Sequence, residues 1–301
     1  MTTTEVKLLN RKGAPKWGTL MGQLLAIALG VGPLLIFMGI FFFAPLAAVL
    51  VKSLQDNYGA FSFENYAAAL KEPFLTGFRM SISLAAISAI TSAIPGAVFA
   101  YLIESRGSVR IRQFVTSISG VLANTGGVPL AFMFIAALGA EGSATGLLKA
   151  LGLDLYSNGF NLFSFGGLIL VYSYFQIPLM VIVFSPAVHG IRKEWQEAAR
   201  NLGANRLRFW RFIGFPLLFP SFVSSLLLLF ASAFSAYATA RAMTTGEIAL
   251  VPILIGNLVD GNVIFDQYNL GKALAVGMVI VSALAMIPYL IIQRRAERWQ
   301  R

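Results

Sequence analysis

The chain has 301 residues, 57% hydrophobic and 12% charged, with a net charge of +10. A soluble domain of this size carries about a quarter charged residues, so too few polar side chains exist to cover a globule and a membrane is the expected solvent. Without Cys there is no disulfide, thiolate metal site or thiol nucleophile, and one histidine, His189, excludes a multi-histidine metal centre.

A helix needs about 20 mostly apolar residues to cross about 30 Å of hydrocarbon. The gaps between charged residues supply six such stretches, giving an all-α integral membrane fold with spans at 24–51, 80–103, 114–140, 164–187, 216–240 and 271–292. They leave an N-terminal segment 1–23, a transmembrane domain 24–292 and a tail 293–301. Pro33 and Pro45 are placed to bend the first span, which is too long for a cleavable signal and stays as an anchor. Ile248–Val259 is apolar but too short to cross, and reads as an interfacial or re-entrant helix on the outer side.

With the N-terminus inside, six spans return the C-terminus to the same side. Seventeen of the 23 basic residues then fall in inner segments, the densest being Arg192, Lys193, Arg200, Arg206, Arg208 and Arg211 between the fourth and fifth spans. Eight of the 13 acidic residues fall outside, among them Asp56, Glu141, Asp154, Glu247, Asp260 and Asp266. This asymmetry is the positive-inside pattern. It accounts for the +10 with the lipid bilayer as partner and no nucleic acid.

The loop 189–215 is longer than a bare helix connection of about 2–8 residues. Arg192–Leu202 has helical spacing, with Trp195, Ala198, Ala199 and Leu202 on one expected apolar stripe. Gly203 suits a helix stop. Asn205 can cap a second helix through Phe215, and Pro216 is expected to break the pattern before the fifth span. The result is a helix–turn–helix elbow on the inner surface. Its small residues beside Glu197 fit docking into a partner's groove; periodicity equally allows a helix lying on anionic lipid.

Here the sequence resembles a known family. Glu197-Ala198-Ala199, three residues, Gly203, nine residues, Ile213, one residue, then Phe215-Pro216 matches the EAA loop of type I ABC importer permeases, departing only in Phe215 where Leu is usual. The run Phe43 to Leu54 followed by Phe61 to Tyr66 also looks like the first span and outer segment of these permeases. The resemblance implies a permease pair, of identical or paralogous chains, two cassette ATPase subunits and an extracytoplasmic solute-binding protein. It implies that Glu197, Ala198, Ala199, Gly203, Ile213 and Pro216 couple the permease to the ATPase. The texture of Arg206–Pro220 and Leu250–Val259 is most like the polyamine, opine and phosphonate branch; iron, thiamine, sulfate and sugar importers are alternatives.

The chain itself carries no phosphate loop. At the nearest approach, Gly271-Lys272-Ala273, Asp266 stands in place of the first Gly and Ala273 in place of the hydroxyl. No charged residue sits in the middle of a span, which disfavours the rival reading of an ion-coupled carrier or channel. Nor is there a nucleophile–base pair or metal cluster for an intramembrane enzyme, and no catalytic residue or cofactor is expected. Asn124-Thr125-Gly126-Gly127 with Pro129 should break the third span. Asn124, Tyr172, Gln176, Ser235 and Tyr237 are candidates for the solute pathway, or alternatively for helix packing, where small and hydroxyl residues are enriched. His189 reads as a surface loop residue, and Phe41, Phe42 and Phe43 as lipid-facing.

Overall fold

The computed structural model describes residues 29–56, 58–244, 248–259 and 268–300, without the side chains of Tyr268 and 295–300. The N-terminal segment 1–23, the start of the first span, Glu247, Asp260, Asp266 and Arg301 lie outside the described residues. Among the described residues there is no strand, only a bridge between Gln55 and Phe61.

Six stretches are long and apolar enough to cross a membrane. The first is helix α1, Leu29–Ser53, which widens into a π turn over Gly39–Phe43. The described residues up to Lys52 form a unit of their own, in which Phe41, Phe42 and Phe43 are exposed. The chain from Ser53 onward forms the second unit. It contains α2 (Glu64–Ala69), α3 (Phe74–Arg106), α4 (Val109–Asn124), α5 (Val128–Leu138), α6 (Ser143–Ala150) and α7 (Phe165–His189). There follow α8 (Lys193–Asn201), α9 (Arg206–Phe234), α10 (Tyr237–Met243), α11 (Val251–Val259) and α12 (Tyr268–Gln300).

The centre of the second unit is the pair α3–α7. Ala85, Ser88, Ala89, Ser92, Ala93, Gly96 and Ala100 recur every three to four residues on α3, and all are buried. Lipid tails are as apolar as Leu, so helices in a bilayer associate through close packing and hydrogen bonds, which small residues permit. At Gly96 a Cβ would come within 2.6 Å of Met180 Cβ and 3.0 Å of the Ile177 carbonyl. The Ser92 hydroxyl donates to Ser173 Oγ (3.1 Å), and Gln176 Nε2 donates to Ser88 Oγ (3.0 Å). Helix α9 packs on both α3 and α7, and α12 closes against α9.

The third expected span, 114–140, is not one helix. Helix α4 ends at Asn124, Thr125 and Gly126 are non-helical, and Gly127 has φ +79°, which a side chain resists. Pro129 then starts α5, where its missing amide is harmless. By length and apolarity alone the third crossing is Val128–Ala150, which bends over Gly139–Gly142. Helix α4 packs along the spanning helix α7.

The fifth span also differs from expectation. It starts at Arg206 instead of 216 and is already helical inside the elbow. Pro216 does not break it. A π turn over Trp210–Gly214 lets the Phe215 amide reach back to the Trp210 carbonyl, and Pro216 follows at a helical segment's start. The span ends at Phe234 rather than 240, because the chain turns at Ser235 and Ala236 before α10. The short outer segment becomes α11, whose Val251, Pro252, Ile253 and Leu258 are buried. The Val251 amide donates to Ser81 Oγ on α3 (2.9 Å).

Candidate functional site

The elbow is built as a stop, a turn and a restart. Helix α8 ends when the Gly203 amide donates to Arg200 O (2.9 Å) and the Ala204 amide to Ala199 O (2.9 Å). Gly203 takes φ +76°, the left-handed cap that glycine adopts without strain. The Asn205 side chain then accepts from the Arg208 amide (2.8 Å) and caps α9.

The expected apolar stripe divides between two faces. Ala199 and, on α9, Phe209 are buried against the body of the molecule. Glu197, Ala198 and Gly203 face outward, and Leu202 is 88% exposed. Leu207 and Phe212 continue this outward face, while Ile213 and Pro216 are exposed further along α9. Spacing of three to four residues cannot assign a face here. Ala198 and Ala199 are adjacent and so about 100° apart around the helix.

Behind the elbow lies a polar cleft of about 830 Å³, whose walls include Tyr101, Glu104, Arg112, His189, Arg192 and Trp210. Glu104, its side chain only 11% exposed, holds three helix ends together. It meets Arg112 of α4 at 3.4 Å and His189 of α7 at 3.2 Å while standing near the end of α3. His189 therefore hydrogen-bonds the carboxylate that also pairs with Arg112, and is not merely a loop residue. The sequence carried one signal for it: Glu104 is an isolated carboxylate in an otherwise basic inner segment. The Tyr101 ring meets the Trp210 ring edge-on at 5.0 Å, seating the start of α9 on α3.

The five pathway candidates separate into two groups. Tyr172 and Gln176 are buried and stand between helices rather than on a free surface. The Tyr172 hydroxyl donates to Ala236 O (2.9 Å), the carbonyl freed where α9 breaks. Gln176 reaches Ser88 through Nε2, and its Oε1 has no hydrogen-bond partner among the described residues. Asn124, Ser235 and Tyr237 are exposed. Asn124 and Ser235 stand at the two helix breaks, which are tied together by Thr239. Its hydroxyl accepts from the Gly127 amide (2.8 Å). Among the described residues no cluster of His, Cys, Asp and Glu could hold a metal ion.

The fold and this elbow define a multi-pass α-helical membrane protein with an exposed helical lever just before its penultimate span. The chain belongs to the family of binding-protein-dependent transport system inner membrane components, whose model matches residues 93–301. Members of this family are inner membrane components of transport systems, and the six apolar helices make this chain a multi-pass membrane protein of that family.

It is 27% identical over 118 residues to the spermidine/putrescine transport system permease protein PotB of Haemophilus influenzae, covering 38% of this chain and 40% of that one. It is 33% identical over 133 residues to the molybdenum transport system permease protein ModB of Escherichia coli, covering 43% of this chain and 55% of that one. The chain thus matches about half the length of these relatives. Its fold is similar to a chain of a bacterial ABC transporter involved in the import of the acidic polysaccharide alginate, with TM-score 0.67, 17% identity and coverage of 94% and 98%. It is also similar to a chain of the MetNI methionine ABC transporter in an inward-facing conformation, with TM-score 0.51, 16% identity and coverage of 75% and 99%. At these identities the likeness carries the fold.

Proposed function

We propose that this chain forms half of the translocation pathway of an ATP-driven importer and takes its energy from a separate cassette ATPase docked on the elbow. The observation that carries the reading is the division of the elbow into two faces. Ala199 and Phe209 anchor it, while Glu197, Ala198, Leu202 and Gly203 are left for a partner. A leucine 88% exposed at a helix tip is what a hydrophobic groove in a partner would take up. The elbow is also continuous with a membrane span, since α9 runs without interruption from Arg206 to Phe234. Closure of two ATPase subunits would carry the elbow with them and turn α9 as a rigid body.

In this reading a second permease, identical or paralogous, completes the pathway and an extracytoplasmic binding protein delivers the solute. The solute is small and hydrophilic. The polyamine branch comes first, supported by the likeness to PotB, with phosphonate or opine beside it; the likeness to ModB keeps an oxyanion in view. Iron, thiamine, sulfate and sugars follow. An ion-coupled carrier is disfavoured because the charged residues of the described spans lie near helix ends, Glu141 standing at the bend between α5 and α6.

The test is capture of the cassette ATPase by the purified chain. Leu202→Asp should abolish capture and ATP-driven uptake while the protein still inserts. Gly203→Val adds no clash, since nothing lies within 4 Å of a Cβ there. It does strain a left-handed residue by about 1–2 kcal/mol, so it should weaken coupling. Normal uptake and ATPase stimulation in the Leu202→Asp protein would overturn the proposal.

A further inference from the structure

Helix α4 has three faces of different chemistry. Ser119 is buried and, with the half-buried Val115 and Ala123, marks the face packed on α7. Ile111, Phe114, Ile118 and Val121 are exposed and apolar, as a lipid-facing side must be. Gln113, Thr116, Ser117, Gly120 and Asn124 make up the third face. Four of these are exposed and Gly120 is half-buried. At 100° per residue all five fall within an arc of about 100°. From Gln113 to Asn124 no apolar side chain interrupts it, and the exposed Val109 stands on the same line one turn earlier.

This polar arc leads to the helix break. The uncharged stretch between Arg112 and Glu141 has Thr125, Gly126 and Gly127 at its middle, so the break lies near the membrane's midplane. The carbonyls of Ala123, Asn124, Thr125 and Gly126 accept no hydrogen bond from the described residues, and Asn124 and Gly126 are exposed. Exposed backbone at membrane depth is tolerated only where it lines a water-filled cavity or is covered by protein, because hydrocarbon satisfies neither N–H nor C=O. Across the Gly127–Thr239 tie the exposed Ser235 and Tyr237 lie beside the second break.

We propose that the Gln113, Thr116, Ser117, Gly120 and Asn124 face of α4, with the open backbone above it, is the water-filled wall of the solute pathway through the inner half of the membrane. The occupant is water with a hydrated polar solute, met by neutral hydrogen-bonding groups. The five positions carry no charge, so this wall passes a polar solute by hydrogen bonding instead of holding it by an ion pair. The proposal rests on the importer reading, but its test does not.

The chain has no cysteine, so single cysteines can be installed without removing any native residue. Each of the five positions, and Phe114, Ile118 and Val121 as controls, is changed to Cys. The intact transporter in membrane vesicles is then treated with a charged, hydrophilic methanethiosulfonate. A thiol reacts as thiolate, which forms in water and not in hydrocarbon. The polar-face cysteines should react at least about tenfold faster than the three controls, because only a face in water presents its thiol as thiolate. Modification should also slow uptake.

Polar-face cysteines as inert as those at 114, 118 and 121 would overturn the proposal. So would efficient oxidative cross-linking of these cysteines between copies, since that marks a dry seam between helices. If labelling fails while the cassette ATPase is still captured through the elbow, this inference falls alone. If labelling succeeds but no ATPase is captured, the importer reading falls and the wall stands.

Discussion

Gln176 and Asn124 look alike in sequence: each is a lone amide in an apolar stretch beside a proline or glycine. The fold gives them different work. Gln176 is fully buried, bonded through Nε2 to Ser88, with Oε1 unpartnered. Asn124 is exposed, with Nδ2 donating to Gly120 O at 2.8 Å. A buried acceptor without a partner costs about 1–3 kcal/mol. Gln176→Leu keeps the volume and removes that cost, while the Ser88 hydroxyl still has its own bond to Ala85 O. The variant should match or exceed the parent's thermal stability in detergent, and a clear drop in Tm would show that the amide is satisfied in the assembled transporter. Which amide is buried was not legible in the sequence, because burial depends on which face of α7 meets α3. The polar arc of α4 was legible in principle, as polar residues at three-to-four spacing through an apolar stretch. Its signal is masked by the apolar residues on the other faces of α4, which give the stretch the composition of an ordinary span.

At the scale of elements, the spans follow from charge spacing because hydrocarbon excludes charge far more strongly than any local propensity acts. The four long helices α3, α7, α9 and α12 therefore fall near their expected places. Their ends and breaks do not, since these depend on caps and on packing. Pro216 looks like a stop, yet the π turn before it absorbs the missing hydrogen bond and α9 continues. The restart of the elbow depends on a side chain that the sequence does reveal. Asn205 accepts from the Arg208 amide at 2.8 Å, and its replacement by Ala should cost about 1 kcal/mol of local helix stability. Limited proteolysis should then cut faster between Gly203 and Leu207, with overall Tm nearly unchanged. Equal cutting rates would mean that partner contacts, and not the cap, order the elbow.

At the scale of the molecule, Glu104 ties the inner ends of α3, α4 and α7 through Arg112 and His189. Glu104→Gln removes the charge that both partners face and keeps the shape. Amide hydrogen exchange around 104–112 and 186–192 should rise several-fold, on the scale of a weakened, partly buried ion pair, while exchange at the outer ends of these helices stays as it was. Unchanged exchange at all sites would mean that packing alone holds the inner ends.

The serine-lined face of α3 has a consequence for how the chain is made. Ser88 and Ser92 are matched by Gln176 and Ser173, which lie more than eighty residues later. During synthesis α3 therefore enters the bilayer before its counterpart exists, with a seam of hydroxyls facing fatty-acyl chains. A ribosome that stalls before Phe165 leaves behind a fragment that is apolar enough to insert but has no mate, and such an orphaned helix is a mark by which membrane proteases can tell unfinished copies from finished ones.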